Sequence, residues 1–144
     1  MFLGEFHHNL DNKNRIAIPS KFREGLKDTV IITRGLDGSL ALYPQSAWQV
    51  ILEKLSNLSI VKSNSRAFSR FMLSGAMDVV LDKQGRIVIP EYLKKYANIN
   101  KKAVLVGLFD KVEIWSEDRW DKYRINTEKN SNEIAEKLGD IETI

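Results

Sequence analysis

Apolar and polar residues alternate in short runs along this chain, and the runs form two related series. In the first series the alternating positions are Phe6, His8 and Leu10, and the second series repeats the pattern over residues 77–81. Alternation of this kind predicts β-strands with one buried face. Each run leads into a polar turn and then into another short apolar run, so the pattern predicts strands joined by tight turns.

One nine-residue segment occurs twice and links these two series. Residues 11–19 read Asp-Asn-Lys-Asn-Arg-Ile-Ala-Ile-Pro, and residues 82–90 read Asp-Lys-Gln-Gly-Arg-Ile-Val-Ile-Pro. The identical positions, always 71 apart as from 11 to 82, are Asp11 and Asp82, Arg15 and Arg86, Ile16 and Ile87, Ile18 and Ile89, and Pro19 and Pro90. Five identities in nine positions, all in register, indicate two copies of one structural unit.

The repeated segment has the chemistry of a tight turn followed by a short strand. Asn14 and Gly85 occupy equivalent positions, and these residue types tolerate positive φ well. Along the strand the isoleucines face one side while Arg15 or Arg86 faces the other, and proline closes the strand. The pattern therefore predicts a rigidly held arginine, which suits phosphate or guanine recognition.

Helical spacing follows each copy of the segment. Short helices are predicted after Pro19 and Pro90, and a hairpin is predicted at Asp37-Gly38. Further strands are predicted at residues 30–33, 40–43, 102–105 and 112–115. Each unit therefore consists of strand, turn, strand, short helix, strand, hairpin, strand and helix.

Additional helices are predicted between the units and at the C-terminal end. Apolar positions at helical spacing predict one helix within residues 44–62 and another that begins near Ser63. Ile134, Leu138 and Ile141 predict a weak amphipathic helix or a partly disordered tail. This last segment is also a candidate contact between protomers.

The size of the units sets the predicted architecture. Each unit spans about 45 residues, too few to bury an adequate core alone. We therefore predict a mainly β fold with helices (α+β), in which two pseudo-symmetric copies share one barrel-like core. The predicted boundaries are 5–47 for the first domain, 48–75 for a helical linker, 76–119 for the second domain and 120–144 for a C-terminal helix or tail.

Composition narrows the chemistry that the chain can perform. Its 144 residues contain no cysteine, which excludes disulfides and thiolate chemistry. We expect a cytoplasmic protein, because neither a signal peptide nor an apolar run long enough to span a membrane is recognised. The only histidines, His7 and His8, lie side by side, which argues against a catalytic triad and a histidine metal site. No cofactor is predicted.

Positive charge is concentrated on the repeated segments. The whole chain has a net charge of only +3, but residues 11–23 carry a local +3 and residues 82–95 a local +2. The remainder of the chain is therefore negative. One basic window alone is most simply a solvated surface, whereas two matched windows indicate a surface for a polyanion such as nucleic acid.

Together these motifs resemble the MraZ family of bacterial transcriptional regulators. The resemblance rests on Phe2-Leu3-Gly4-Glu5-Phe6, the Asp-x-x-x-Arg motif at Asp11/Arg15 and Asp82/Arg86, and Gly107 with Glu113-Ile114-Trp115, and it covers about residues 1–125. It implies two SpoVT-AbrB (swapped-hairpin) domains that form an AbrB-like, double-psi-like barrel, and assembly into ring-like homo-oligomers. It also implies a nucleoid-associated repressor that binds direct repeats in double-stranded DNA upstream of its own operon, in the division and cell-wall gene cluster.

The resemblance assigns roles to particular residues. The candidate DNA-binding residues are Lys13, Asn14, Arg15, Lys83, Gln84 and Arg86, and the further candidate phosphate contacts are Lys21, Arg23 and Lys94. Asp11 and Asp82 would repel phosphates, so we expect them to orient the arginines or to accept turn amide protons. Asn14 stands where glycine is usual in the family, so the two turns are expected to share a shape while their local DNA contacts can differ.

Three other functions compete with this interpretation. An antitoxin of the same fold could use residues 126–144 to neutralise a toxin, although such proteins usually carry one AbrB copy. A purely structural ring protein would show no salt-dependent affinity for DNA. An enzyme is disfavoured, because the chain has no phosphate-binding glycine loop and no HExxH or CxxC motif.

Overall fold

The computed structural model describes residues 1–27 and 29–139, and its elements follow the doubled order that the sequence predicts. In chain order they are β1 Phe2–Asn9, β2 Arg15–Ala17, α1 Ser20–Leu26, β3 Thr29–Arg34, a 3₁₀ turn Leu36–Gly38, β4 Leu40–Pro44, α2 Gln45–Ser56, α3 Ser63–Ser74, β5 Met77–Val80, β6 Arg86–Val88, α4 Glu91–Ala97, β7 Lys102–Phe109, β8 Val112–Ser116, α5 Glu117–Lys129 and α6 Ser131–Leu138. The first repeat runs from β1 to α2 and the second from β5 to α5. The α+β class and the two-repeat organisation are therefore confirmed.

The strands of the two repeats are exchanged across a pseudo-two-fold axis. Within the described residues, one sheet has the strand order β1-β7-β8-β4-β3-β5, and β2 pairs with β6 in a two-stranded ribbon. Swapping each strand for its counterpart in the other repeat leaves both orders unchanged. The first strand of each repeat pairs with the other repeat, because β1 lies against β7 and β5 against β3. Within the described residues, the first strand of each repeat therefore pairs with a strand of the other repeat and not with one of its own.

The predicted barrel-like core is shared by the two repeats, while the large sheet itself is open. β1 and β5 lie at its two edges. The β2–β6 ribbon has three residues in each strand. Pro19 and Pro90 follow closely, and because proline has no amide hydrogen the ladder cannot continue through them. The ribbon covers the core from the other side, since its isoleucines join the same hydrophobic cluster as Ile32 and Leu105 of the sheet.

Equivalent side chains from both repeats form this core. Its central members are exposed by at most 1%, and they are Ile16, Ile18, Phe22, Ile87, Ile89 and Leu93. Burying a side chain of this size contributes about 1.5–3 kcal/mol relative to leaving it exposed. The inner face of the ribbon is therefore firmly anchored, and the turns that precede β2 and β6 are held in place by it.

Helices cover the outer face of the sheet differently in the two repeats. α2 and α3 contribute to a cluster that includes Ile31 and Tyr43, whereas Trp120 of α5 packs against Trp115. The helices predicted within residues 44–62 and from Ser63 are confirmed as α2 and α3. α2 ends at Ser56, earlier than the predicted limit. The apolar residues beyond it, Ile60 and Val61, are more than 80% exposed, so they do not extend its packed face.

The C-terminal region is helical as far as the structure describes it. α5 begins at a cap in which the Ser116 hydroxyl accepts the amide hydrogen of Arg119 at 3.2 Å. α6 leaves Ile134 and Leu138 exposed by 43% and 52%, so the predicted apolar face is uncovered in a single chain. Ile141, predicted on the same face, lies outside the described residues. None of the described helices is long and apolar enough to cross a bilayer.

Candidate nucleic-acid interface

The first turn is closed by both backbone and side-chain hydrogen bonds from one aspartate. The amide of Asp11 donates to the carbonyl of Arg15 at 3.0 Å, and the amide of Asn14 donates to the carbonyl of Asp11 at 3.1 Å. Asp11 Oδ1 accepts the amide hydrogens of Lys13 and Arg15, each at 2.9 Å. These bonds fix the turn backbone directly before β2 begins.

The second turn repeats this geometry. The amide of Asp82 donates to the carbonyl of Arg86 at 2.9 Å, and the amide of Gly85 donates to the carbonyl of Asp82 at 2.9 Å. Asp82 Oδ1 accepts the amide hydrogens of Gln84 and Arg86, each at 2.9 Å. The matching sequence segments therefore fold into matching turns.

Each aspartate also holds the arginine of its own turn. Arg15 Nε donates to Asp11 Oδ2 at 2.7 Å, and Arg86 Nε donates to Asp82 Oδ2 at 2.9 Å. The backbone hydrogen bond from Arg15 is the main reason that the pKa of Asp11 is lowered to about 2, and the pKa of Asp82 is lowered by the equivalent bond from Arg86. Both carboxylates are therefore ionised at neutral pH.

The ion pair uses only the inner nitrogen of each guanidinium. In the part of the chain that the structure describes, neither Arg15 nor Arg86 makes a hydrogen bond through its terminal nitrogens to another residue. The side chains of Arg15 and Arg86 are each 29% exposed. The two terminal nitrogens of a guanidinium form a fork that can bind a bidentate acceptor. In both arginines this fork is free for phosphate oxygens or a guanine edge.

The two arginines lie on one face of the β2–β6 ribbon. Arg15 is opposite Val88, Ile16 is opposite Ile87, and Ala17 is opposite Arg86. Since Ile16 and Ile87 face the core, the residues on either side of them face outward. Arg15 and Arg86 are therefore diagonal neighbours, and such residues lie about 7–8 Å apart in an antiparallel pair.

Hydrogen bonds between the repeats lock each turn to the opposite strand. The amide of Ile18 donates to the carbonyl of Gly85 at 2.8 Å, and the amide of Ile89 donates to the carbonyl of Asn14 at 2.9 Å. Asn14 and Gly85 have φ values of 61° and 75°, as predicted for this turn position. Neither turn is complete without the other repeat.

Comparison with known proteins places this doubled arrangement in a family. The family model described as "MraZ protein, putative antitoxin-like" matches the chain twice, over residues 1–71 and 72–140. The chain belongs to the MraZ family. The two matched ranges correspond to the two repeats that carry the Asp-x-x-x-Arg turns.

Relatives named "Transcriptional regulator MraZ" resemble the chain over nearly its whole length. The protein from Natranaerobius thermophilus is 48% identical over 142 residues, which cover 99% of each chain. The proteins from Clostridium acetobutylicum and Pediococcus pentosaceus are 50% and 51% identical over 141 residues, which cover 98% of this chain and 99% of theirs. The MraZ assignment therefore applies to the full two-repeat fold.

The structure brings most of the predicted residues of this MraZ-family chain to the two turns. Lys13, Lys83 and Gln84 are exposed at the turn tips. Lys21 is exposed in the first turn of α1. Arg23 Nε instead donates to the carbonyl of Ile18 at 2.8 Å. Arg23 is therefore a basic side chain that already makes a hydrogen bond inside the protein.

Lys94, on α4, is also engaged inside the protein. Its Nζ donates to Asn14 Oδ1 at 2.7 Å, and Asn14 Nδ2 in turn donates to Glu91 Oε2 at 3.0 Å. Glu91 is not among the residues predicted for the site, so its contact with the turn is a feature that the sequence did not predict. The difference between the repeats is visible in the sequence, because the residue 71 positions before Glu91 is the uncharged Ser20.

Proposed function

We propose that this chain is a sequence-specific DNA-binding regulator of transcription that contacts double-stranded DNA through its two Asp-x-x-x-Arg turns. The observation that carries the proposal is the pair of equivalent turns, each with an arginine held through Nε and free at its terminal nitrogens. Membership of the MraZ family and the name of the relatives, transcriptional regulator, support a regulatory and non-enzymatic role.

We propose that the outer face of the β2–β6 ribbon is the surface that faces nucleic acid. The major groove of B-DNA admits a two-stranded β-ribbon, and arginine pairs with the O6 and N7 atoms of guanine. Arg15 and Arg86 are proposed to make these base contacts or bidentate phosphate contacts. Lys13 and Lys83 are proposed to bind phosphates, with Gln84 and Asn14 as neighbouring polar contacts.

The aspartates are proposed to support binding without touching DNA. Asp11 and Asp82 keep each guanidinium in one orientation, so less side-chain entropy is lost when the arginine binds. Lys21 is proposed as an additional phosphate contact. Arg23 and Lys94 would have to share or exchange their present internal hydrogen bonds to serve in that way.

A single protomer offers few cations, so we propose that several protomers act together. The chain is proposed to form a homo-oligomeric ring that binds direct repeats upstream of its own operon and represses it, in the cytoplasm at the nucleoid. Binding several boxes at once raises affinity through effective concentration. We keep the domain division at 5–47, 48–75, 76–119 and 120–144 as part of this proposal.

A mobility-shift measurement with arginine variants tests the proposal. The probe is a duplex with the sequence upstream of the chain's own gene, and the competitor is a scrambled duplex of the same length. Arg15→Ala is expected to abolish the specific shift, because the free fork is lost, while size-exclusion chromatography shows an unchanged oligomer. Arg86→Ala is expected to weaken the shift at least as strongly, because Arg86 is held in the same way in the second turn.

Arg124→Ala is the matched control, because Arg124 is a partly exposed arginine of α5 that pairs with Glu128 rather than with a turn. It is expected to bind like the unaltered protein. An unchanged shift for Arg15→Ala would overturn the proposal. So would wild-type binding that does not weaken as salt increases, which would instead favour a structural ring protein.

An antitoxin is the second candidate function, because the description of the matching family includes that term. The uncovered apolar face of α6, with Ile134 and Leu138, offers a surface for a partner protein. Purification of the chain from its own cells distinguishes the two: a stoichiometric co-purifying protein that is lost from a chain truncated after residue 130 favours the antitoxin.

A further inference from the structure

The two turns share a backbone but differ in what surrounds their positive-φ residue. At the first turn, the side chain of Asn14 lies between two side chains of α4: its Nδ2 donates to Glu91 Oε2 at 3.0 Å, and its Oδ1 accepts from Lys94 Nζ at 2.7 Å. At the second turn, Gly85 has no side chain, and the guanidinium of Arg23 from α1 lies against it. The pseudo-two-fold symmetry is therefore broken at the candidate interface.

Glu91 is the anionic member of this difference. It is hydrogen-bonded to the side chain of Asn14, the residue directly before Arg15, so its carboxylate is held at the first turn. The residue equivalent to Glu91 at the second turn is Ser20, which is neutral. A fixed carboxylate repels a phosphate that approaches the first turn, and at such short range salt does not fully screen the repulsion.

Other charges near the turns either have a counterpart at the other turn or are less directly attached. Lys94 is bound to the same Asn14, but its equivalent in the first repeat is Arg23, which lies against Gly85 of the second turn, so each turn has one such cation. Each turn tip carries one lysine, Lys13 in the first and Lys83 in the second. Glu24 lines the shallow cleft beside the second turn, but within the described residues it makes no hydrogen bond or ion pair with that turn. Glu24 and Glu91 are both exposed, but only Glu91 is held by a hydrogen bond to a turn residue among the described residues, so Glu24 can move away from an approaching phosphate more easily.

We propose that Glu91, held by Asn14, makes the two turns unequal in DNA binding and thereby sets the direction in which a protomer lies on its DNA box. A ribbon with exact two-fold symmetry would bind an asymmetric box equally well in either direction. With Glu91 in place, the second turn takes the position with the closest phosphate contacts. This inference rests on the proposed function, because it concerns the same DNA-binding face.

Directed cleavage of DNA tests the inference. The chain has no cysteine, so Lys95→Cys provides a unique thiol on exposed α4 for an attached iron–EDTA cleavage reagent. With the duplex from upstream of its own gene, the labelled protein is expected to cut on one side of each protected box. Adding Glu91→Ser, which copies Ser20, is expected to produce cuts on both sides and to tighten binding about two- to five-fold at low salt.

Glu24→Ser in the same labelled protein is the matched control. It also removes one carboxylate near a turn, so it is expected to tighten binding slightly while the cuts remain one-sided. The inference is overturned if the labelled protein cuts both sides equally, if Glu91→Ser keeps one-sided cutting, or if Glu24→Ser gives the same loss of direction. A labelled protein that gives no mobility shift at all contradicts the proposed function itself, and the two failures are therefore distinguishable.

Discussion

Ile16 and Ile87 lie directly opposite each other at the centre of the β2–β6 ribbon, where the pseudo-two-fold axis passes. They are 0% and 1% exposed. Each is the residue directly after one of the two arginines, Arg15 and Arg86. One apolar contact between the repeats therefore positions both turns, and the geometry of the candidate interface depends on the packing of the two repeats together.

Shortening either isoleucine is expected to destabilise the whole chain. Ile16→Ala leaves a cavity in the shared core, and such a change lowers the free energy of unfolding by about 2–5 kcal/mol. Denaturant unfolding followed by circular dichroism measures this loss. Val88→Ala is the control, because Val88 lies on the same ribbon but is 50% exposed. Its expected effect is within about 0.5 kcal/mol, and an equal loss for both variants would contradict the anchoring role of Ile16.

Removing the aspartate of a turn is expected to weaken DNA binding, although simple charge counting predicts the opposite. Asp82→Ala takes away a negative charge, but it also frees the Arg86 guanidinium and leaves the amides of Gln84 and Arg86 without their acceptor. Fluorescence anisotropy with a labelled duplex measures the change. Glu136→Ala, which removes a carboxylate from exposed α6, is the charge control. Tighter binding by Asp82→Ala would show that orientation of Arg86 is unimportant.

The ion pairs between aspartate and arginine in the two turns are formed over a defined pH range. Because the pKa of Asp11 is lowered to about 2, its contribution to stability is fully present above the ordinary aspartate pKa of about 3.9. It is lost as the pH falls through about 2. Asp11 therefore stays ionised between pH 5 and pH 8. Over this range, the affinity for DNA should depend on pH in the same way in the unaltered protein and in Asp11→Ala.

The positive-φ residues of the two turns, Asn14 and Gly85, are expected to differ in how strongly they respond to substitution. A Cβ atom on Gly85 would overlap the guanidinium of Arg23, and φ at this position is 75°. Gly85→Ala is therefore expected to lower the free energy of unfolding by about 1–3 kcal/mol. Asn14→Gly keeps the turn permissive and loses two side-chain hydrogen bonds, so we expect a change below about 1 kcal/mol. Thermal unfolding compares the two, and a larger loss for Asn14→Gly would contradict this account.

Local chemistry made much of this structure predictable from the sequence. Asp11, Asn14 and Arg15 lie within five consecutive residues, so turn propensity and strand alternation were enough to predict the turn and the outward arginine. Repetition of the segment at residues 82–90 then indicated a pseudo-symmetric fold. These features depend on contacts between residues that are close in the sequence.

The contacts between distant residues could not be predicted in the same way. The hydrogen bonds of Asn14 to Glu91 and Lys94 join residues that are 77 and 80 positions apart. They exist because α4 of one repeat lies over the turn of the other, and the exchange of strands that causes this has no local signature. For the same reason the internal hydrogen bond of Lys94 could not be predicted, whereas that of Arg23 joins it to Ile18, only five residues away.

A histidine at the sheet edge gives the fold a second, pH-dependent contact. His7 of β1 lies between two carboxylates: its Nε2 is 2.8 Å from Glu5 Oε2, and its Nδ1 is 3.2 Å from Glu117 Oε2 of α5. The hydrogen bond with Glu5, followed by that with Glu117, raises the pKa of His7 above its ordinary value. Protonated His7 therefore links the edge strand to α5.

The direction of the pH effect follows from that shift. A raised pKa means that the contribution of His7 to stability is fully present below its unfolded pKa of about 6.5 and is lost as the pH rises through the folded value. The melting temperature of the unaltered protein is therefore expected to fall more between pH 6 and pH 9 than that of His7→Gln. The difference should be small and should shrink with added salt, because the side chain of His7 is 47% exposed. His8→Gln is the neighbouring control and should follow the unaltered protein, and identical pH profiles for all three proteins would exclude the proposed link between β1 and α5.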